Sequence, residues 1–529
     1  MLSRLGCVLL VCGIAALVAQ SDLPGPRAVS YQSPVDGTTQ PYALYLPKPL
    51  NGARKHPLVI ALHEEESNHV VALKHLFGLP NRYGETGLQA LTTFPVLPDV
   101  DYIVACPFGR GTMGYRGIAE QDVWDVLADV ERRYPVDEDR VYLTGSSMGG
   151  GAALWMALTR PDVWAAVAPV CPAIVPGTEG LEGNALDLPV RLFHGEMDPS
   201  VPAESSRQLQ RRLLEAGVAA DYIEFPAVRH NAWDAAYRNG SIFEWFDKFK
   251  RDRDPVHVRF ATRSQDQHSA YWVRIDGFVP GALASIDAVR SGTDVRVQTK
   301  DVDAFTVTVA ARGVTIDGTA VRIRPAASLS FVRSGGRWAQ APAPATSLPL
   351  GPIVEAVNQP HIYVYGTGQE QARRYAETAA AWSSARARLN LSFAVKSDEE
   401  VTAADLDSAN LVLFGNQHTN RLIARFAPHL PMALNPGAAD YGLLFIAAVG
   451  NHYVLVSSGL PWWTGADEVN RGGYRFAPDQ YRLLSTFGDY VLFKGSLANV
   501  LAEGRFDRAG RVTDEASAKI EAAGVVTLR

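Results

Sequence analysis

Three residues in the first half of the chain have the types and spacing for nucleophilic chemistry: Ser147, Asp198 and His230. Ser147 is the centre of Gly145-Ser146-Ser147-Met148-Gly149, between an apolar run and a small-residue helical pattern. Glycines on both sides of such a serine suit a strand-to-helix turn so sharp that a Cβ at the flanks would collide. The turn lifts the hydroxyl above a sheet edge, beside helix N–H groups that favour a developing oxyanion. A serine hydroxyl is a poor nucleophile at neutral pH, so it needs a base, and the base needs an acid to orient it. On a parallel sheet these arrive in the order Ser, then Asp or Glu, then His. Asp198 follows the apolar run 190–194, and His230 follows the next run, 222–226. Other readings exist for the last two: Asp198-Pro199 is also a turn signal, Glu196 is a second acid in the same turn, and His230 could serve as a loop histidine.

The elements that must hold these residues can be read from hydrophobic periodicity. Continuous apolar runs at 57–63, 101–107, 141–144, 165–171, 190–194 and 222–226 predict strands buried on both faces. Residues 28–50 alternate and predict opening antiparallel strands. Stripes of 3.6-residue period at 119–134, 205–216 and 232–249 predict helices between the runs. Strand and helix alternating in this way imply an α/β fold with a mostly parallel sheet, whose C-terminal edge would carry all three side chains. From 256 to 337 the period becomes two, punctuated by Asp276-Gly277, Ser291-Gly292 and Asp317-Gly318, which predicts a small antiparallel β domain. A Pro/Ala-rich stretch follows, and then strand and helix patterns resume at 361–365, 370–388, 411–414, 421–426, 443–448 and 453–456, predicting a second, doubly wound-like α/β domain. The expected organisation is a catalytic domain over 28–252, a β domain over 255–338, a linker over 339–352 and an α/β domain over 353–529. Gly366-Thr367-Gly368 precedes a helix but lacks the third glycine and the acid of a dinucleotide site, so it is read as a turn.

A chain of 529 residues is too long for a single core. A net charge of −6, with no basic run, gives no reason to expect nucleic acid as a partner. Residues 1–20 carry one positive charge, an apolar run and then small residues, the pattern of a secretory signal peptide cut after Ala19 or Gln20. Its apolar run falls short of a membrane span, so the expectation is a secreted or periplasmic protein with no membrane attachment after cleavage. Cys7 and Cys12 would leave with the signal. Cys106 and Cys171 would end strands separated by two others, about 14 Å apart at ~4.8 Å per strand, and are expected as buried free thiols. The spacings of His, Cys and carboxylates give no metal site, and no cofactor motif appears.

The segments 141–150, 194–202 and 228–233, together with 122–169, resemble the α/β-hydrolase superfamily. The likeness is to the prolyl-oligopeptidase-like branch that includes secreted feruloyl esterases and polyhydroxybutyrate depolymerase-like esterases, and it covers about residues 38–250. It implies Ser147 as nucleophile, His230 as general base and Asp198 as its orienter. It also implies a backbone oxyanion hole formed by Met148 and, after His63, Glu64, with His63 and Trp233 as pocket candidates. The activity implied is hydrolysis of a carboxylic ester, small or polysaccharide-linked, through an acyl-enzyme. Where relatives carry glycines after the histidine, this chain has Glu64-Glu65-Glu66. Carboxylates beside a developing anion are unfavourable unless turned away or paired. A solvated face is expected for them, with a cationic substrate group or a metal as the other option. His194 is expected as a structural residue under the site, and Trp124 and Trp155 as core or pocket wall. Two other readings stay open: a serine peptidase, because the same branch includes peptidases, and a non-catalytic polysaccharide- or partner-binding protein with a relict hydrolase fold.

Overall fold

The apolar runs of the first half become neighbours in one eight-stranded sheet. A computed structural model describes residues 23–50, 54–79, 89, 93–342, 351–381, 390–473, 475–476, 479–507 and 509–529. The expected signal peptide, most of the expected linker and the end of the helix expected over 370–388 lie outside the described residues. The strands are β1 (Gly25–Gln32), β2 (Thr39–Leu46), β3 (His56–Leu62), β4 (Ile103–Pro107), β5 (Val136–Ser146), β6 (Ala166–Val170), β7 (Val190–Gly195) and β8 (Ala220–Phe225). Their order is β1-β2-β4-β3-β5-β6-β7-β8. β1 and β2 pair antiparallel, β2 pairs antiparallel with β4, and every other pairing is parallel.

Helices cover both faces, as parallel crossovers require. On one face lie α2 (Ile118–Arg133), α3 (Met148–Thr159) and α4 (Ala203–Glu215), packed through Val123, Val130, Leu154, Leu158, Leu209 and Leu213. On the other lie α1 (His69–Leu76), α5 (Trp233–Ala236) and α6 (Ser241–Phe246), packed through Leu73, Leu76, Ala236, Ile242 and Phe246. Seven of the eight α1 residues are buried, so α1 has no polar face and leaves no amphipathic stripe in the sequence. The single helix expected over 232–249 is broken instead. Asn239 and Gly240 both have left-handed backbone, with φ of 55° and 70°, and separate α5 from α6.

Beyond this sheet, two five-stranded sheets span 257–340. They are not purely antiparallel, because Asp294–Lys300 pairs parallel with Gly313–Ile316. The chain leaves that sheet for the other through Val302–Val307 and returns in its original direction. Asp276-Gly277 is no turn either: it lies within the strand Val273–Phe278, where the register slips at Gly277. The last segment holds a seven-stranded sheet whose first four strands, Val395–Ser397, His361–Tyr365, Asn410–Phe414 and His452–Gly459, are parallel. The doubly wound expectation fails for the rest. Tyr441–Val449 joins His452–Gly459 by a two-residue turn with Gly450 at φ 62°, which makes the pair antiparallel, and Tyr490–Lys494 and Val500–Gly504 continue the meander. Gly366 to Gly368 form a turn whose Thr367 N–H is held by the Asp398 carboxylate. Cys106 and Cys171 are buried and free. Among the described residues no helix is long and apolar enough to cross a membrane.

Candidate active site

Three loops meet at the C-terminal edge of the sheet, after β5, β7 and β8. At the first, Ser147 has φ 53° and ψ −112°, a conformation that L-residues rarely adopt, and α3 begins at the next residue. The flanking glycines explain how the turn closes. A Cβ at Gly145 would lie 2.4 Å from the carbonyl oxygen of Gly149, and one at Gly149 would lie 2.4 Å from that of Leu62. Only bare backbone lets α3 press against the ends of β5 and β3.

The turn after β7 holds Asp198 with its side chain fully enclosed. Its Oδ1 accepts the N–H groups of Ser200 and Val201 at 2.8 and 2.9 Å, and its Oδ2 lies 2.6 Å from Nδ1 of His230. Burial alone would raise the Asp198 carboxyl; the His230 ring and the two amides outweigh it and hold the group below its ordinary value. Nε2 of His230 lies 2.8 Å from Oγ of Ser147. The imidazole therefore has an anchored acceptor on one side and the hydroxyl on the other, and in that tautomer Nε2 can take the hydroxyl proton. The other acid of the turn, Glu196, instead accepts the N–H of Ala227 at 3.1 Å and braces the loop before His230. His194 lies beneath, bonded to Ser206 Oγ and the Val201 carbonyl.

The segment after β3 departs from expectation. His63 is fully buried, with Nδ1 2.7 Å from the Glu64 carbonyl and Nε2 2.9 Å from the Phe108 carbonyl, so it supports the loop from below. Glu65 and Glu66 face solvent, whereas Glu64 turns inward, its side chain 14% exposed and 3.6 Å from Nδ1 of His75. Burial would raise the Glu64 carboxyl, but the His75 ring, its own main-chain N–H and His63 outweigh it and hold it below its ordinary value. Glu64 to Ser67 form a turn closed by Ser67 N–H on the Glu64 carbonyl, with Glu66 at φ 62°. Among the described residues, the N–H groups of Glu65 and of Met148, the first of α3, have no acceptor. Both are free to receive an anion.

Trp233 stands beside the site, its ring 5.6 Å from that of His230 and stacked at 5.7 Å on that of His75. Cys171, Asp198 and His230 are the one group of three potential metal donors within 4.8 Å found among the described residues. Burial pushes the Cys171 thiol up, and it donates to the His230 carbonyl at 3.2 Å, while the other two are bonded to each other. Sequence reasoning did not find Glu64's inward turn, His75 or Tyr115, whose hydroxyl accepts the His63 N–H at 3.0 Å. The glycines crowded around Tyr115 were the available signal.

The sheet, its covering helices and the serine elbow define an α/β-hydrolase. Residues 37–272 match the family model described as "Putative esterase". The likeness to that esterase family lies within this part of the chain. Solved structures are similar to it as well. A thermostable esterase is 26% identical, with 43% of this chain and 63% of that one covered and a TM-score of 0.35. A ferulic acid esterase from the anaerobic fungus Anaeromyces mucronatus is 20% identical, with 41% and 92% covered and a TM-score of 0.32. An S-formylglutathione hydrolase from Staphylococcus aureus is 16% identical, with 42% and 96% covered and a TM-score of 0.34.

Proposed function

We propose that the protein is an exported serine esterase that works through an acyl-enzyme on Ser147. The observation that carries this reading is the unbroken hydrogen-bonded line from Asp198 through His230 to Ser147. His230 Nε2 takes the proton of Ser147 Oγ as the oxygen attacks the ester carbonyl, and Asp198 stabilises the imidazolium that forms. The tetrahedral oxyanion is received by the N–H groups of Met148 and Glu65. His230 then returns the proton to the leaving alcohol, the C–O bond breaks, and water repeats the cycle to free the acid and restore Ser147. A carboxylic ester, small or attached to a polysaccharide, is the substrate class. Export to a secreted or periplasmic location rests on the signal-like residues 1–20.

Ser147→Ala tests the reading. The variant should fold normally and lose hydrolysis of p-nitrophenyl acetate and butyrate along with labelling by a fluorophosphonate probe. Retained hydrolysis would remove Ser147 as nucleophile, and a wild-type protein that neither hydrolyses nor labels would remove the enzyme.

A further inference from the structure

The loop 108–117 touches the candidate site on one side and the C-terminal half of the chain on the other. Six of its ten residues have positive φ, four of them glycines and the others Arg110 and Tyr115, so its shape is imposed by what it packs against. On the inner side it grips His63 twice. Tyr115, fully buried, accepts the His63 N–H at 3.0 Å, and the Phe108 carbonyl holds Nε2 of His63 at 2.9 Å. The Tyr115 ring stands edge-on to the His63 ring at 5.4 Å. His63 lies two residues before Glu65, whose amide has no acceptor among the described residues and is free for an oxyanion. The Leu62 and His63 carbonyls would also lie within 2.6 Å of a Cβ at Gly149, so any shift of this backbone alters its spacing from Met148.

On the outer side, Arg110 is enclosed by Asp36 at 2.7 Å and Asp122 at 2.6 Å, and donates to the Asn390 carbonyl at 2.9 Å. Met113 and Ala119 are buried in the apolar core that Ile353, Val357, Tyr363 and Leu484 build in the C-terminal half. Gly117 passes so close to Tyr481 and Asn358 that a Cβ there would meet them at 2.3 and 2.4 Å.

We infer that the C-terminal half is a buttress of the esterase site, acting through this loop, and that Tyr115 is the positioning residue that transmits it to the oxyanion amide after His63. The inference rests on the function proposed above. An oxyanion amide contributes chiefly in the transition state, so displacing it lowers kcat and leaves KM nearly unchanged.

Tyr115→Phe removes the hydroxyl and keeps the ring; Met113→Ala removes only the side chain that the C-terminal core holds. Each would be assayed in the full-length protein with p-nitrophenyl acetate, after titration of active sites, and with a trifluoromethyl ketone that forms a hemiketal at the serine. Tyr115→Phe should lower kcat about tenfold with KM within twofold, and raise the Ki of the ketone by the same factor. Met113→Ala should do the same in smaller measure, a few-fold. If the Tyr115 variant does not fold, the Met113 variant decides alone. Unchanged kcat and Ki in Met113→Ala overturn the buttress, and unchanged values in Tyr115→Phe overturn the role of Tyr115. Failure of the esterase reading would look different: Ser147→Ala would keep the wild-type activity, or the wild type would have none.

Discussion

Glu64 points its carboxylate back into the protein, 3.6 Å from Nδ1 of His75, although it follows the strand end where an oxyanion would form. The pairing answers the electrostatic objection to acids at this place. A carboxylate turned inward, engaged by a histidine and its own amide, adds little repulsion to a developing anion. Its lowered pKa also links it to stability. A carboxyl depressed in the folded state contributes stability that is present above its unfolded value, about 4.3, and lost as pH falls below it. Glu64→Gln should therefore lower the Tm at pH 7, and the gap from wild type should narrow in scans at pH 5, 4 and 3. A gap independent of pH would place the stabilisation elsewhere.

Glu66 carries the backbone cost of the missing glycines. At φ 62° it occupies the left-handed region, which costs an L-residue of ordinary side chain about 1 kcal/mol. Its side chain is exposed, so nothing packed is lost on removing it. Glu66→Gly should stabilise the protein by about 1 kcal/mol in urea unfolding, against the usual loss on introducing glycine. Destabilisation would mean that the Glu66 side chain makes a contact of its own.

Asp198 and Glu196 lie two residues apart in one turn and serve different partners, the His230 ring and the Ala227 amide. Asp198→Asn keeps the shape but presents an amide that can hold the wrong imidazole tautomer, which should cost roughly 10³–10⁴ in kcat. Glu196→Gln retains an oxygen for the Ala227 amide and should stay within about threefold of wild type. The pair of kcat values checks which acid serves the base, and a reversed order would reassign it.

Much of the first sheet was legible because its strands are apolar on both faces and its helices carry stripes; Val123, Leu127 and Val130 on α2 are an example. The elbow was legible for a steric reason that the Gly145 and Gly149 contacts make plain. Elements without such signatures were missed. α1 is buried nearly all round, and the break at Asn239-Gly240 depends on two dihedral angles that the surrounding apolar pattern conceals. Glu64 was expected in solvent with Glu65 and Glu66, because a run of like charges shows no sign that one member has a buried partner eleven residues on. His63 could be assigned to the site region but not to its underside, since the carbonyls that hold its ring come from its neighbour and from Phe108. The parallel strand pair within 257–340 depends on the chain's excursion through the other sheet, a relation no local pattern records.

A cavity of about 940 Å³ lies between α2, the loop containing Asp266 and the helix Glu355–Asn358. Glu355 is half-buried in its wall, and desolvation first, then the charge of Asp266, push its carboxyl up to about 8. Asn358 Nδ2 donates to Glu355 Oε2 at 3.2 Å and offsets only part of this. The sign of the linkage follows from the direction. An acid whose folded pKa is raised keeps its proton in the folded state at pH values where the unfolded chain has lost it, so the folded state binds more protons between about 4.3 and about 8. Its contribution is full below the unfolded value and is lost as pH rises through the folded one. The thermal stability of the wild type should therefore fall between about pH 5 and about pH 8, beyond what its other groups impose. Glu355→Gln, neutral at every pH and close in shape to the protonated acid, should match the wild type at pH 5 and exceed its Tm at pH 9. If the two Tm values keep the same separation from pH 5 to pH 9, Glu355 does not ionise in this interval, and the wall of the cavity holds its charge by another route.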